Sequence, residues 1–73
     1  MQKWTYYKAT WSKGILKWHW SADELKKLAF HEGLNYLGDR GWEMCGNGFN
    51  YGFKGETSVI EGYEFYFKRP VGD

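Results

Sequence analysis

The sequence predicts an α+β domain, a four-stranded antiparallel sheet with one helix packed on one face, in the order β-β-α-β-β. Three observations predict it. Aromatic and β-branched segments occur twice before and twice after a single stretch of helical periodicity. That stretch opens on Ser21 and Glu24, spaced as a capping box. Glycine-bearing turns separate the segments at Ser12-Lys13-Gly14, Asp39-Arg40-Gly41 and Lys54-Gly55-Glu56. Residues 1–73 make a single domain.

The first strand is predicted over Lys3 to Trp11 and the second over Ile15 to Trp20. A three-residue loop that pairs Trp11 with Ile15 sorts their side chains into two faces. One carries Trp4, Tyr6, Leu16, Trp18 and Trp20; the other carries Tyr7, Ala9, Trp11, Ile15, Lys17 and His19. The helix is expected from Ala22 to about Leu37, ending at Gly38 as a C-cap. Gly33 inside it costs about 1 kcal/mol relative to alanine. Phe30, Leu34 and Leu37 form one apolar stripe, and Leu25, Leu28, Ala29 and Tyr36 a second.

Trp42 to Asn47 reads as the third strand. Gly46, Gly48, Gly52 and Gly55 then interleave with Phe49, Tyr51 and Phe53. Thr57 to Lys68 is the fourth strand, with Val59, Tyr63, Phe65 and Phe67 on one face and Glu61 as its polar exception. Pairing Trp42 and Met44 with Phe65 and Phe67 requires a bulge near residues 46–48. Lys54-Gly55-Glu56 is the hairpin turn, and Pro70 ends the last strand.

Sixteen of the residues are Trp, Tyr or Phe. One helix cannot cover both faces of a sheet that carries aromatics on both, so the second face is a binding surface or a subunit interface. A chain this short gains most cheaply by burying more surface, which points to a homo-oligomer. Net charge is +1, which weighs against a general phosphate-backbone binder and makes a protein partner the better expectation than nucleic acid. The charge is uneven: residues 1–27 hold six lysines against Asp23 and Glu24, and residues 28–73 are net acidic. Cys45 is the only cysteine, so no disulfide forms within the chain. No apolar run suits a signal peptide or a membrane span, so a cytoplasmic location without membrane attachment is expected.

No catalytic constellation is legible. His19 and His31 lie in different predicted elements, and no Ser-His-Asp or Cys-His spacing accompanies them. Cys45 reads as a small core residue. Glu61 and Glu64, three apart on a strand, should point to opposite faces. No metal-ligand spacing occurs, and no cofactor or metal is expected. Gly46-Asn47-Gly48-Phe49 lies between strands rather than opening a helix, so it does not form a phosphate loop. The strongest candidate site is Tyr7, Trp11, Lys17 and His19, where aromatic planes beside cations suit a flat anion such as a nucleotide or a single-stranded base.

Three segments together carry a family resemblance. Met1-Gln2-Lys3-Trp4-Thr5-Tyr6 is similar to an opening M-x-x-W-x-Y strand. Leu34-Asn35-Tyr36-Leu37-Gly38-Asp39-Arg40-Gly41-Trp42-Glu43-Met44 is similar to an L-N-x-L-G-x-x-G-W-E-L core motif, and Phe65-Tyr66-Phe67-Lys68-Arg69-Pro70 to a closing F-K-R-P. In this order they resemble the small bacterial and phage group known as domain of unknown function 4177. The resemblance implies a compact single-helix α+β domain and no established activity. Gly38 and Gly41 would shape the helix-to-strand turn, and Leu34, Leu37, Trp42 and Met44 would be core. The chain departs from the pattern in a long Lys8–Ser21 segment and a long hairpin between Cys45 and Val59, where a specialised role would sit.

Two functions are therefore expected. The first is a non-enzymatic interaction module, of the kind phages use to inhibit a host or defence protein. The alternative is a binder that sequesters a nucleotide-like small anion or a single strand through Tyr7, Trp11, Lys17 and His19.

Overall fold

The computed structural model describes residues 1–72. Strands β1 (Trp4–Lys13) and β2 (Trp18–Trp20) come first, then a 3-10 turn at Asp23–Leu25. Helix α1 (Phe30–Asp39) follows, then β3 (Glu43–Lys54) and β4 (Thr57–Pro70). The sheet is antiparallel throughout with order β2-β1-β4-β3. The four-stranded sheet with one helix on one face is the architecture the sequence predicts.

β1 and β4 are the central pair, in register from Trp4 opposite Pro70 to Ser12 opposite Gly62. Tyr7, Ala9 and Trp11 meet Phe67, Phe65 and Tyr63 on the face under the helix. Lys8, Thr10 and Ser12 meet Tyr66, Glu64 and Gly62 on the other. The period-2 alternation of both strands thus selects one apolar face and one that mixes polar with aromatic side chains.

Three expectations are corrected. The second strand spans only Trp18–Trp20, because Gly14–Lys17 form a four-residue turn closed by the Gly14 N–H on the Lys17 carbonyl at 2.9 Å. Trp11 therefore pairs with Trp20 rather than with Ile15. Trp18 and Trp20 join the face of Tyr7 and Trp11, while His19 turns to the opposite one.

The helix starts eight residues later than the capping-box pattern suggests. Ser21 is tied to the sheet instead: both its N–H and its hydroxyl donate to the Thr10 carbonyl, at 2.9 and 3.0 Å. The next residues make only one 3-10 turn, which buries Leu25. α1 begins after Ala29, whose N–H donates to the Glu32 carboxylate at 2.8 Å, so Glu32 supplies the reciprocal cap bond that Glu24 was expected to make. At the other end Gly38 lies within α1, and Gly41, at φ +87°, is the residue that reverses the chain.

The third correction concerns the C-terminal hairpin. β3 runs on through all of the glycine-aromatic segment to Lys54. Gly55, at φ +67°, starts a two-residue turn in which Glu56 stays at negative φ, the geometry of a type II′ hairpin. The register shifts at Cys45, close to the expected bulge, and again at Glu61. Past the second shift Ile60 pairs with Tyr51 and Val59 with Gly52, so Val59 leaves the face of Tyr63. The Glu61 carboxylate lies against the Cβ position of Gly52, on the side that Glu64 occupies, so the two glutamates share a face after all.

The core is Ala9, Trp20, Leu25, Leu37 and Phe67. Trp20 is its centre. Its ring stacks on Phe30 with centroids 5.4 Å apart and meets Trp11 and Phe65 edge-on. Its Nε1–H donates to the Ala29 carbonyl at 3.2 Å, which satisfies its one polar atom and pins the start of α1. Gly33 makes this contact possible: a Cβ there would fall within 2.6 Å of the indole Cε2. Of the expected core residues, Leu37 is buried and Leu34 and Trp42 are partly so, whereas Met44 is 43% exposed. Cys45 is exposed at the bulge.

Beyond the Ser12–Gly62 pair β4 is paired only with β3, so the end of their hairpin is a two-stranded ribbon. The molecule is accordingly long, 51 × 26 × 16 Å.

Candidate functional site

The sheet face opposite α1 has no covering layer among the described residues. Its side chains come from alternate positions of β1 and β4: Trp4, Tyr6 and Lys8 beside Glu64, Tyr66 and Lys68. Tyr6 is 67% exposed, and Trp4 and Tyr66 are also exposed. The cation of Lys68 sits 4.3 Å above the Trp4 ring. The Tyr66 hydroxyl donates to Glu64 at 2.8 Å, and Lys8 approaches the same carboxylate at 4.0 Å. The bond from Tyr66, one from Asn50 and the charge of Lys8 hold the Glu64 carboxyl below its ordinary range. The same bond, seen from its donor, pushes the Tyr66 phenol up.

Next to this aromatic and ionic row the face becomes bare. Gly46 and Gly48 of β3 lie beside Tyr66 and Glu64, and Gly62 lies beside Asn50. A Cβ at Gly48 would meet nothing within 4 Å. The outer face is therefore a ridge of aromatic and charged side chains beside a floor of backbone, open to a flat partner.

The four residues singled out by the sequence divide. Tyr7 and Trp11 lie on the helix side, half-buried. The Tyr7 hydroxyl donates to Glu24 at 2.8 Å, and its ring packs 5.5 Å from Trp42. Burial, the bond to Glu24 and the charges of Glu24 and Tyr36 push the Tyr7 phenol up to about 12. Trp11 meets both Trp20 and Phe30 edge-on, beside their stack. Lys17 is exposed in the turn before β2, and His19 places Nδ1 3.0 Å from the Trp20 carbonyl oxygen.

Three of the four nonetheless line one recess. Trp11, Lys17 and His19 border a hollow of about 330 Å³ at the β2 edge, together with Trp18, Lys26 and Lys27. Tyr7 does not border it. Lys26 is engaged by Asp23 at 3.2 Å. A smaller apolar recess of about 230 Å³ adjoins Trp11, Phe30, Tyr63 and Phe65.

Trp4, Tyr6, Tyr66 and Lys68 were missed as site residues because the expected pairing of Trp11 with Ile15 put Trp4 and Tyr6 together with Trp20, the core tryptophan. The signal that finds them is the polar run at alternate positions Lys8, Thr10 and Ser12, which marks their face as the one without a helix. Among the described residues no group of three His, Cys, Asp or Glu side chains could hold a metal ion, and no helix is long and apolar enough to cross a membrane. No protein-family model, curated protein or solved structure matches the chain.

Proposed function

We propose that this chain is a non-enzymatic interaction module, of the kind grouped in domain-of-unknown-function family 4177, that works by docking its open sheet face on another protein. That group includes phage members, and in a phage setting the partner is a host or defence protein to be inhibited. The observation that carries the reading is the uncovered row Trp4, Tyr6, Tyr66 and Lys68 beside the glycine floor. Exposed aromatics beside a cation are the side chains that dominate protein interfaces. The row mixes Lys8 and Lys68 with Glu64, so it lacks the one-signed field that a phosphate backbone selects.

The test is affinity capture from the native host with wild-type protein and with the Tyr6→Ala/Tyr66→Ala double variant, followed by reconstitution with the purified partner. Wild type should give a complex of defined mass, and the double variant should bind at least about tenfold more weakly. Equal binding by both would reject this surface, and discovery of a turnover reaction would reject the non-enzymatic reading.

A second reading is supported by the hollow at the β2 edge. Trp11 and Trp18 offer ring surface there, and Lys17 and Lys27, with Lys26 held by Asp23, outweigh the one lining carboxylate, Glu32, which is engaged by the Ala29 N–H; this suits a nucleotide-like anion. Mononucleotides and short single strands should then quench tryptophan fluorescence, and Lys17→Ala/Lys27→Ala should abolish the quenching. Absence of quenching by every ligand would end this reading.

A further inference from the structure

We infer that two copies of this chain join through β3, edge to edge and antiparallel, into one eight-stranded sheet with both helices on the same side. The inference is independent of what docks on the open face.

β3 is a twelve-residue edge strand, hydrogen-bonded only to β4 among the described residues. Edge strands are ordinarily blunted by proline, by inward charges or by being short. At the other edge β2 has only three residues, and the stretch of β1 that it leaves open, Trp4 to Thr10, carries the charge of Lys8 and gives its Thr10 carbonyl to the Ser21 N–H. β3 does not: from Gly46 to Phe53 it has no proline and no charge. Its outward positions there are Gly46, Gly48, Asn50 and Gly52, which leave the edge unobstructed. On the helix side Phe49, Tyr51 and Phe53 are exposed, Tyr51 by 62% and Phe53 by 78%.

The strand is complementary to itself. A two-fold axis normal to the sheet reverses the strand and preserves each face, so paired residues must share a face. An axis through Phe49 meets that condition. It sets Phe49 opposite the partner's Phe49, Asn47 opposite the partner's Tyr51, and Gly46 opposite the partner's Gly52. The extra residue at Cys45 then brings Met44 opposite the partner's Phe53 and Glu43 opposite the partner's Lys54. The only two charges on the strand thus meet as opposite charges, and the pair occurs twice by symmetry. Of the exposed aromatics, Phe49 meets its own copy, Phe53 the partner's Met44 and Tyr51 the partner's Asn47. A pairing of this kind is closed, since the two-fold uses the β3 edge of both copies and leaves β2 and the outer side of β1 at the ends of the sheet.

The test is sedimentation equilibrium of wild type, Lys54→Glu, Glu43→Lys and the double swap Glu43→Lys/Lys54→Glu. Wild type should dimerise, each single reversal should weaken the dimer about tenfold, and the double swap should restore it. Register is read separately, in a Cys45→Ser background with a short bismaleimide. Phe49→Cys should cross-link to its own copy. Lys8→Cys, on β1 two strands inside the edge, should not, because neighbouring strands add about 4.8 Å each. A monomer throughout the micromolar range, insensitivity of the dimer to both single reversals, or cross-linking at Lys8→Cys in place of Phe49→Cys would each overturn the inference.

Discussion

At the scale of single residues, Gly33 is the position where local and tertiary preferences conflict. Helix propensity alone favours alanine by about 1 kcal/mol. The Trp20 indole, however, occupies the place of its Cβ and holds the start of α1 through the Ala29 carbonyl. Gly33→Ala should therefore lower stability by about 1–3 kcal/mol, as overpacking does. Thermal unfolding checks it: a higher midpoint would mean that Trp20 is free to move. Tyr7 gives a second prediction. Its phenol is raised above its ordinary value of 10.0 to about 12, so the fold favours the protonated form. Its contribution is complete below about pH 10 and is lost as pH rises towards 12. Tyr7→Phe should flatten the alkaline fall in stability over that window, as measured by denaturant unfolding at successive pH values. An unchanged slope would remove Tyr7 as its source. Competition between local and tertiary preferences is hard to see in sequence, and the start of the helix is an example. Ser21 and Glu24 have the right spacing, but Thr10 captures the serine, and nothing in the local string announces that competitor.

At the scale of elements, the β3–β4 hairpin is the long departure from an ordinary small sheet. A two-stranded ribbon is marginal in water, so its outer half depends on the turn. Gly55 sits at positive φ, where a β-branched side chain is disfavoured. Gly55→Val should raise amide exchange from Tyr51 to Ile60 while leaving protection at Ala9 and Phe67 intact, as measured by hydrogen exchange. Uniform loss of protection would show instead that the ribbon and the core unfold as one unit. The turn itself was legible, because Lys54-Gly55-Glu56 has the chemistry of a tight hairpin. The length of β3 and the second register shift at Glu61 were not. Four glycines in ten residues suppress the propensity signal, and pairing with a strong partner strand overrides it.

At the scale of the whole molecule, one layer of helix covers one side of the sheet and leaves the other bare. The number and order of elements could be read from the sequence because β1, β3 and β4 are long and turn residues separate every segment. Which side the helix takes could not, because it hangs on the register at a single turn. A loop of four residues at Gly14–Lys17, rather than three, moves His19 across the sheet and brings Trp18 and Trp20 under the helix with Trp11. The consequence is measurable. Trp20→Ala should cost about 3–5 kcal/mol, whereas Tyr6→Ala, on the open face, should stay within about 0.5 kcal/mol of wild type. Similar losses at both positions would mean that the open face is packed.

Hydroxyl-radical footprinting of the chain alone and in its reconstituted complex addresses the matter most directly. The free chain should be oxidised fast at Trp4, Tyr6 and Tyr66 and slowly at Trp20, Leu37 and Phe67, and the bound partner should shield the first group. Unchanged oxidation of Trp4, Tyr6 and Tyr66 in the complex, or slow oxidation of all three in the free chain, would contradict the account.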